Sequence, residues 1–136
     1  MDRDRVLPIE CGARGGGGHI YSVIVKAVSG VDLVQTAVRI LLGESPGVSS
    51  PAACLGACYR FLFPPEGEFV SVKGVEAVLD AANVIDLAIP LEPGAPIREP
   101  ENGAQRAGYL VTKGSDRLAA VETADWAEGV LQWTIA

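Results

Sequence analysis

Histidine occurs once in this sequence, and cysteine only at positions 11, 54 and 58. Cys54 and Cys58 stand four apart, on one face if their segment were helical, but a zinc site needs more ligands and His19 is the sole imidazole. An odd, sparse cysteine set without a secretion signal reads as reduced, buried structural thiols in a cytoplasmic protein. Basic residues are also scarce. Eleven Lys and Arg against seventeen Asp and Glu leave a net charge of −6, which argues against a nucleic-acid partner. Long apolar runs are missing as well. Lys26 and Arg39 interrupt the best of them, so no membrane span is expected. MDRDRVLPIE lacks the apolar heart of a signal peptide.

What is present is a foldable chain of 136 residues, 49% hydrophobic and 21% charged. That is one ordinary domain, able to bury roughly two-thirds of its unfolded surface. Residues 5–11 (RVLPIEC) read as a strand, with Pro8 marking an edge or an irregular start. Ile20, Val23, Ile24, Ala27 and Val28 follow helical spacing, and Gly30 suits the residue just past the helix end. Asp32, with Gln35 three residues on, predicts the cap of a second helix that Gly43 stops. Its apolar rows are Leu33, Ala37, Leu41 and Val34, Val38, Leu42.

Residues 44–53 are turn material, and the 44–55 loop is a soft boundary between subdomains. Beyond it, strands are expected at 58–63, 69–73, 84–91, 108–114 and 131–135, with helices at 74–82 and 115–129, the latter capped by Ser115 or Asp116. Residues 92–105 read as a proline- and glycine-rich connection. From residue 69 the order is β-α-β-β-α-β, the split βαβ arrangement. The expected class is therefore α+β, an antiparallel sheet with helices on one face.

The stretch GARGGGGHI, residues 12–20, poses the functional question. Four consecutive glycines are either a flexible linker or a place where backbone comes close to something. The dinucleotide fingerprint fails because residue 20 is Ile, and the P-loop fails because no Gly-Lys-Ser/Thr follows. What remains is strand, glycines and helix start, an arrangement that favours anions. Glu10, Gly12 and Arg14 share one face if 10–14 is extended. A carboxylate and a guanidinium there suit a magnesium–phosphate complex. They equally suit a salt bridge beside a flexible loop.

IECGARGGGGHI, the following helix and GVDLV together resemble the ATP-grasp carboxylate–amine ligases, nearest the amino-acid ligase and carbamoyl-phosphate-synthase-like branch. RAGYLVTKG at 106–114 is similar to the closing segment of that family. The resemblance implies that 1–50 is the end of an ATP-grasp catalytic domain and 51–136 a C-terminal α+β subdomain. It implies Mg²⁺ and ATP in the parent enzyme, with Glu10 as metal-binding acid and Arg14 as the catalytic residue that binds the γ-phosphate or acyl phosphate. The amides of Gly16, Gly17 and Gly18 would line the substrate, with His19 beside them. Two departures stand out. Gly12 takes the place of the family's metal-binding Asn, and the adenine pocket and phosphate-covering loop lie upstream in the family and not in this chain.

The expectation is a C-terminal fragment of a ligase that joins a carboxylate to an amine, inactive and without bound cofactor on its own. The competing expectation is a standalone, non-enzymatic ligand-binding or subunit-association module. Partners follow from each: a separate N-terminal ATP-grasp chain, or a second copy pairing through open sheet edges. Asp2 and Asp4 read as a solvated turn. Trp126 and Trp133 read as core or interface packing residues, and Arg98 and Arg106 as solvent-facing loop charges, although the resemblance of RAGY at 106–109 to the family's R-x-G-Y gives Arg106 some claim to a role that is not catalytic.

Overall fold

The computed structural model describes residues 9–12, 14–47 and 55–136, with Ala104 described by its backbone alone. The expectations for residues 5–8, for Asp2 and Asp4, and for Cys54 lie outside the described residues. Residues 9–12 join no sheet, and Ile9 is 99% exposed. The strand expected there lacks a neighbour among the described strands, and an unpaired strand cannot satisfy its backbone.

The first helical segment opens on a π-helical turn, Ile20–Ile24, in which the His19 carbonyl accepts from the Val23 and Ile24 amides at 2.9 Å each. It continues as α1 (Val25–Ser29) and ends at Gly30, φ 73°. The next helix is α2 (Leu33–Leu41). The Asp32 carboxylate caps it by accepting from the Gln35 amide at 2.9 Å, and also takes the Lys26 ammonium at 2.9 Å. These two bonds, the amide first, hold the Asp32 carboxyl below the usual carboxylate range.

The second half begins with β1 (Gly56–Leu62) and β2 (Gly67–Lys73), followed by the single-turn α3 (Val75–Leu79). Strand β3 (Val84–Ala88) stops short of the expected 91, just before Pro90, which has no amide to donate to a ladder. Within the expected loop lies a two-residue strand, β4 (Pro96–Ile97), paired to Glu68 and Gly67 of β2. Strand β5 (Gly108–Gly114) falls where expected. Helix α4 (Arg117–Val130) takes Asp116, not Ser115, as its cap, and β6 (Gln132–Ile135) closes the chain.

The class is α+β with antiparallel pairing throughout. The strands divide between two three-stranded sheets, β1-β5-β3 and β4-β2-β6. The unit from residue 69 keeps its β2–β6 and β3–β5 pairs. The second edge of β5 is taken by β1, in an unbroken ladder from Gly56 opposite Gly114 to Leu62 opposite Gly108. A strand edge accepts one partner, so this ladder separates the sheets.

Helices α3 and α4 share one core with the first sheet. Leu62, Val78, Leu87, Leu110, Ala124, Ala127 and Leu131 form it. Ala120, Ala124 and Ala127 are fully buried at helical spacing, and such small side chains let α4 lie close on β1 and β5. Glycine is required at the start of β1 for the same reason: a Cβ on Gly56 would come within 1.9 Å of the Asp116 carbonyl oxygen. Arg60 reaches from β1 to Asp125 and Glu128 on α4, the latter at 3.0 Å. No helix among the described residues is long and apolar enough to cross a membrane.

Candidate functional site

Strand pleating assigns the site its side chains. Along β1, Cys58, Arg60 and Leu62 turn toward α4, so Tyr59 and Phe61 turn the other way. Tyr109 sits opposite Phe61 in the ladder and joins them on that face. Ring centroids are 4.8 Å apart for Tyr59 and Phe61, and 5.7 Å for Tyr59 and Tyr109. Tyr109 donates its hydroxyl proton to Asp86 on β3 at 2.9 Å. Burial, reinforced by that carboxylate, pushes the Tyr109 phenol above its usual range and keeps it a donor.

The glycine run lies over this aromatic face. The His19 ring sits 4.5 Å from Tyr109 with planes tilted 35°, and meets Tyr59 edge-on at 5.7 Å. Gly18 has φ +62°, and a Cβ there would approach Tyr59 Cε1 to 3.0 Å. Gly15 is pressed by another ring, since a Cβ would stand 2.7 Å from two carbons of Tyr21. Tyr21 is fixed in turn by donating to the Leu33 carbonyl at 2.9 Å. Gly16 is near Ile20, whereas Gly17 has open space around it. Of the two meanings considered for the run, close approach therefore holds at Gly15 and Gly18, and what they approach is this chain's own tyrosines.

Arg106 completes the arrangement. Its guanidinium lies 3.5 Å above the Phe61 ring centre, a cation–π contact. It is half-buried, not solvent-facing as a loop charge is expected to be; Arg98 does face solvent. Between the run and the sheet is a cavity of about 360 Å³, lined by Gly18, Tyr59, Phe61, Pro90, Arg106 and Tyr109 among others.

Glu10 and Arg14 are both exposed. A Cβ on Gly12 would lie 4.0 Å from Arg14 Cγ. Arg14 donates to the neighbouring Gly15 carbonyl at 3.3 Å, and the ion pairs among the described residues do not include Glu10. No three His, Cys, Asp or Glu side chains converge among the described residues. One exposed carboxylate and a glycine at 12 do not make a magnesium site by themselves. Cys11 is exposed, contrary to the expectation of a buried thiol, and Cys58 is half-buried against the core. Trp133 packs on the core and meets Phe69 at 6.0 Å, while Trp126 is 47% exposed.

Residues 60–136 match the model of a family described as L-amino acid ligase C-terminal domain 2. The chain belongs to that family. Its structure is similar to the L-amino acid ligase from Bacillus licheniformis, with a TM-score of 0.72 and 21% identity over 92% of this chain and 31% of that one. It is also similar to phosphoribosylglycinamide synthetase from Anaerococcus prevotii, with a TM-score of 0.70 and 13% identity over 83% of this chain and 30% of that one. Comparison with curated protein sequences gives no match. The fold of the chain is thus that of the C-terminal part of an ATP-grasp ligase, and the chain spans just under a third of each solved relative.

The sequence singles out the glycine run and its flanking Glu10 and Arg14 as candidates. It does not single out Tyr59, Phe61, Tyr109 and Asp86. Their signal was available in the parity of the aromatic residues on strands 58–63 and 108–114, but only once the pairing of those strands is known.

Proposed function

We propose that this chain closes the active site of an ATP-grasp ligase that joins an amino-acid carboxylate to an amine. In this reading residues 1–50 end the catalytic domain and 51–136 form the C-terminal subdomain, in a cytoplasmic enzyme. The observation that carries it is the family match over 60–136, together with a fold likeness that extends over 92% of the chain.

The reaction has two steps. The carboxylate takes the γ-phosphoryl group of ATP and ADP leaves. The amine then attacks the acyl carbon, the amide bond forms, and phosphate departs with the original carboxylate oxygen. Arg14 has its guanidinium in solvent, close to the glycine run, and would bind the transferred phosphoryl group with forked hydrogen bonds. The amides of Gly16, Gly17 and Gly18 would donate to the oxygen on which charge develops, an effect that typically reaches several kcal/mol when donors are preorganised. The stacking of His19 on Tyr109 and Tyr59 limits the freedom of the run, which supports that preorganisation. Glu10 would give one carboxylate to a magnesium ion whose remaining ligands come from outside the described residues.

The rest of the enzyme is expected on the apolar flank of α2. Val34 and Val38 are about half exposed, Leu41 is 85% exposed and Leu42 70%. A helix with such a stripe in water lacks the surface that would bury it. A separate ATP-grasp chain or a second copy of this one would serve. The isolated chain is expected to show no saturable rise in Tm with Mg-ATP. A saturable rise of several degrees would mean that it holds the nucleotide alone, and would overturn the reading of an incomplete site.

A further inference from the structure

We infer that the cavity between the glycine run and the β1–β5 face binds a small carboxylate carrying a flat apolar body. The volume, about 360 Å³, is at the low end of small-molecule sites, which run from roughly 300 to 1,000 Å³. Its walls are the rings of Tyr59, Phe61 and Tyr109, which suit an aromatic or aliphatic group.

The anchor is Arg106. Among the described residues the ion pairs are Lys26 with Asp32 and Arg60 with Asp125 and Glu128, so Arg106 has no acidic partner. Its guanidinium carbon lies 3.5 Å from the Phe61 ring centre, and a guanidinium with no carboxylate partner can offer a forked bond to one. The Tyr59 hydroxyl makes no hydrogen bond among the described residues, whereas that of Tyr109 is committed to Asp86. One guanidinium balances one negative charge. Arg98 lines a neighbouring cavity and supplies no second cation here. A carboxylate therefore fits better than a phosphate dianion.

Gly18 belongs to the proposed ligase site as well, but the anchor Arg106 does not, so binding measured without nucleotide tests this site separately from the ligase reading. The test is titration of the full chain with phenylacetate, followed by calorimetry and by the NMR signals of Tyr59 and Tyr109. Saturable binding that moves both tyrosines is expected. Arg106→Lys, which keeps the charge and loses the fork and stack, should weaken it about tenfold or more. Phe61→Leu should weaken it while leaving β1 in place. Phenylacetamide, which lacks the charge, should bind equally weakly to the parent chain and to Arg106→Lys. The inference is overturned if phenylacetate does not saturate, if Arg106→Lys binds it unchanged, or if inorganic phosphate alone binds as tightly.

Discussion

At the scale of single residues, the four glycines separate by what surrounds them. Gly15 and Gly18 face tyrosine rings, and Gly18 also has positive φ. Gly17 has neither constraint. Gly15→Ala must displace Tyr21 and with it the bond to Leu33, an overpacking that costs about 1–3 kcal/mol locally. Gly17→Ala is expected within about 0.5 kcal/mol of the parent, on the stabilising side, because it only restricts the unfolded chain. Hydrogen exchange of the amides between Ile20 and Ser29 measures both. Equal protection in the two variants would remove the packing account of the run. That the run is either a flexible linker or a place of close approach was legible in the sequence. What they approach was not. Tyr59 lies far along the chain from Gly18, and Cys54, between them in sequence, gives no local sign of the contact.

At the scale of elements, legibility follows the range of the interactions. Asp32 and Asp116 announce their helices through bonds three residues away, to Gln35 and Ala119. Gly30 and Gly43 mark helix ends through their own positive φ. These signals are local and survive in any context. Strand partners are not local. Two strands of equal length, β1 and β2, were candidates for β5; β1 is the one that pairs, and α4 packs across β1 and β5 together. The alanine row on α4 is the element-scale prediction. Ala124→Leu adds volume to a fully buried contact with the sheet and should cost about 1–3 kcal/mol in urea unfolding. Leu118→Ala, on the same helix but 64% exposed, should stay within about 0.5 kcal/mol. Similar losses for both would mean that α4 does not rest on the sheet through its alanines.

At the scale of the whole molecule, the fold is complete on one side and open on the other. The α4 side has a closed core, while the flank with α2 and residues 9–12 presents apolar side chains to water. The family match falls on the closed side, at 60–136, and the proposed chemistry on the open one, at Glu10, Arg14 and the glycines. That division is what a chain spanning about a third of its solved relatives would have if the missing surface belonged to the same enzyme. The resemblance in the motif was legible because Glu, Arg and glycines occur at fixed spacing within one short stretch. What would cover α2 was not legible, because an apolar stripe reads the same whether it faces its own core or another chain. The most direct measurement is amino-acid-dependent release of ADP from ATP by material purified from its own cells through this chain. The account predicts release with the parent sequence and loss of it, by a hundredfold or more, with Arg14→Ala. No release from the parent material, or release unchanged in Arg14→Ala, would contradict it.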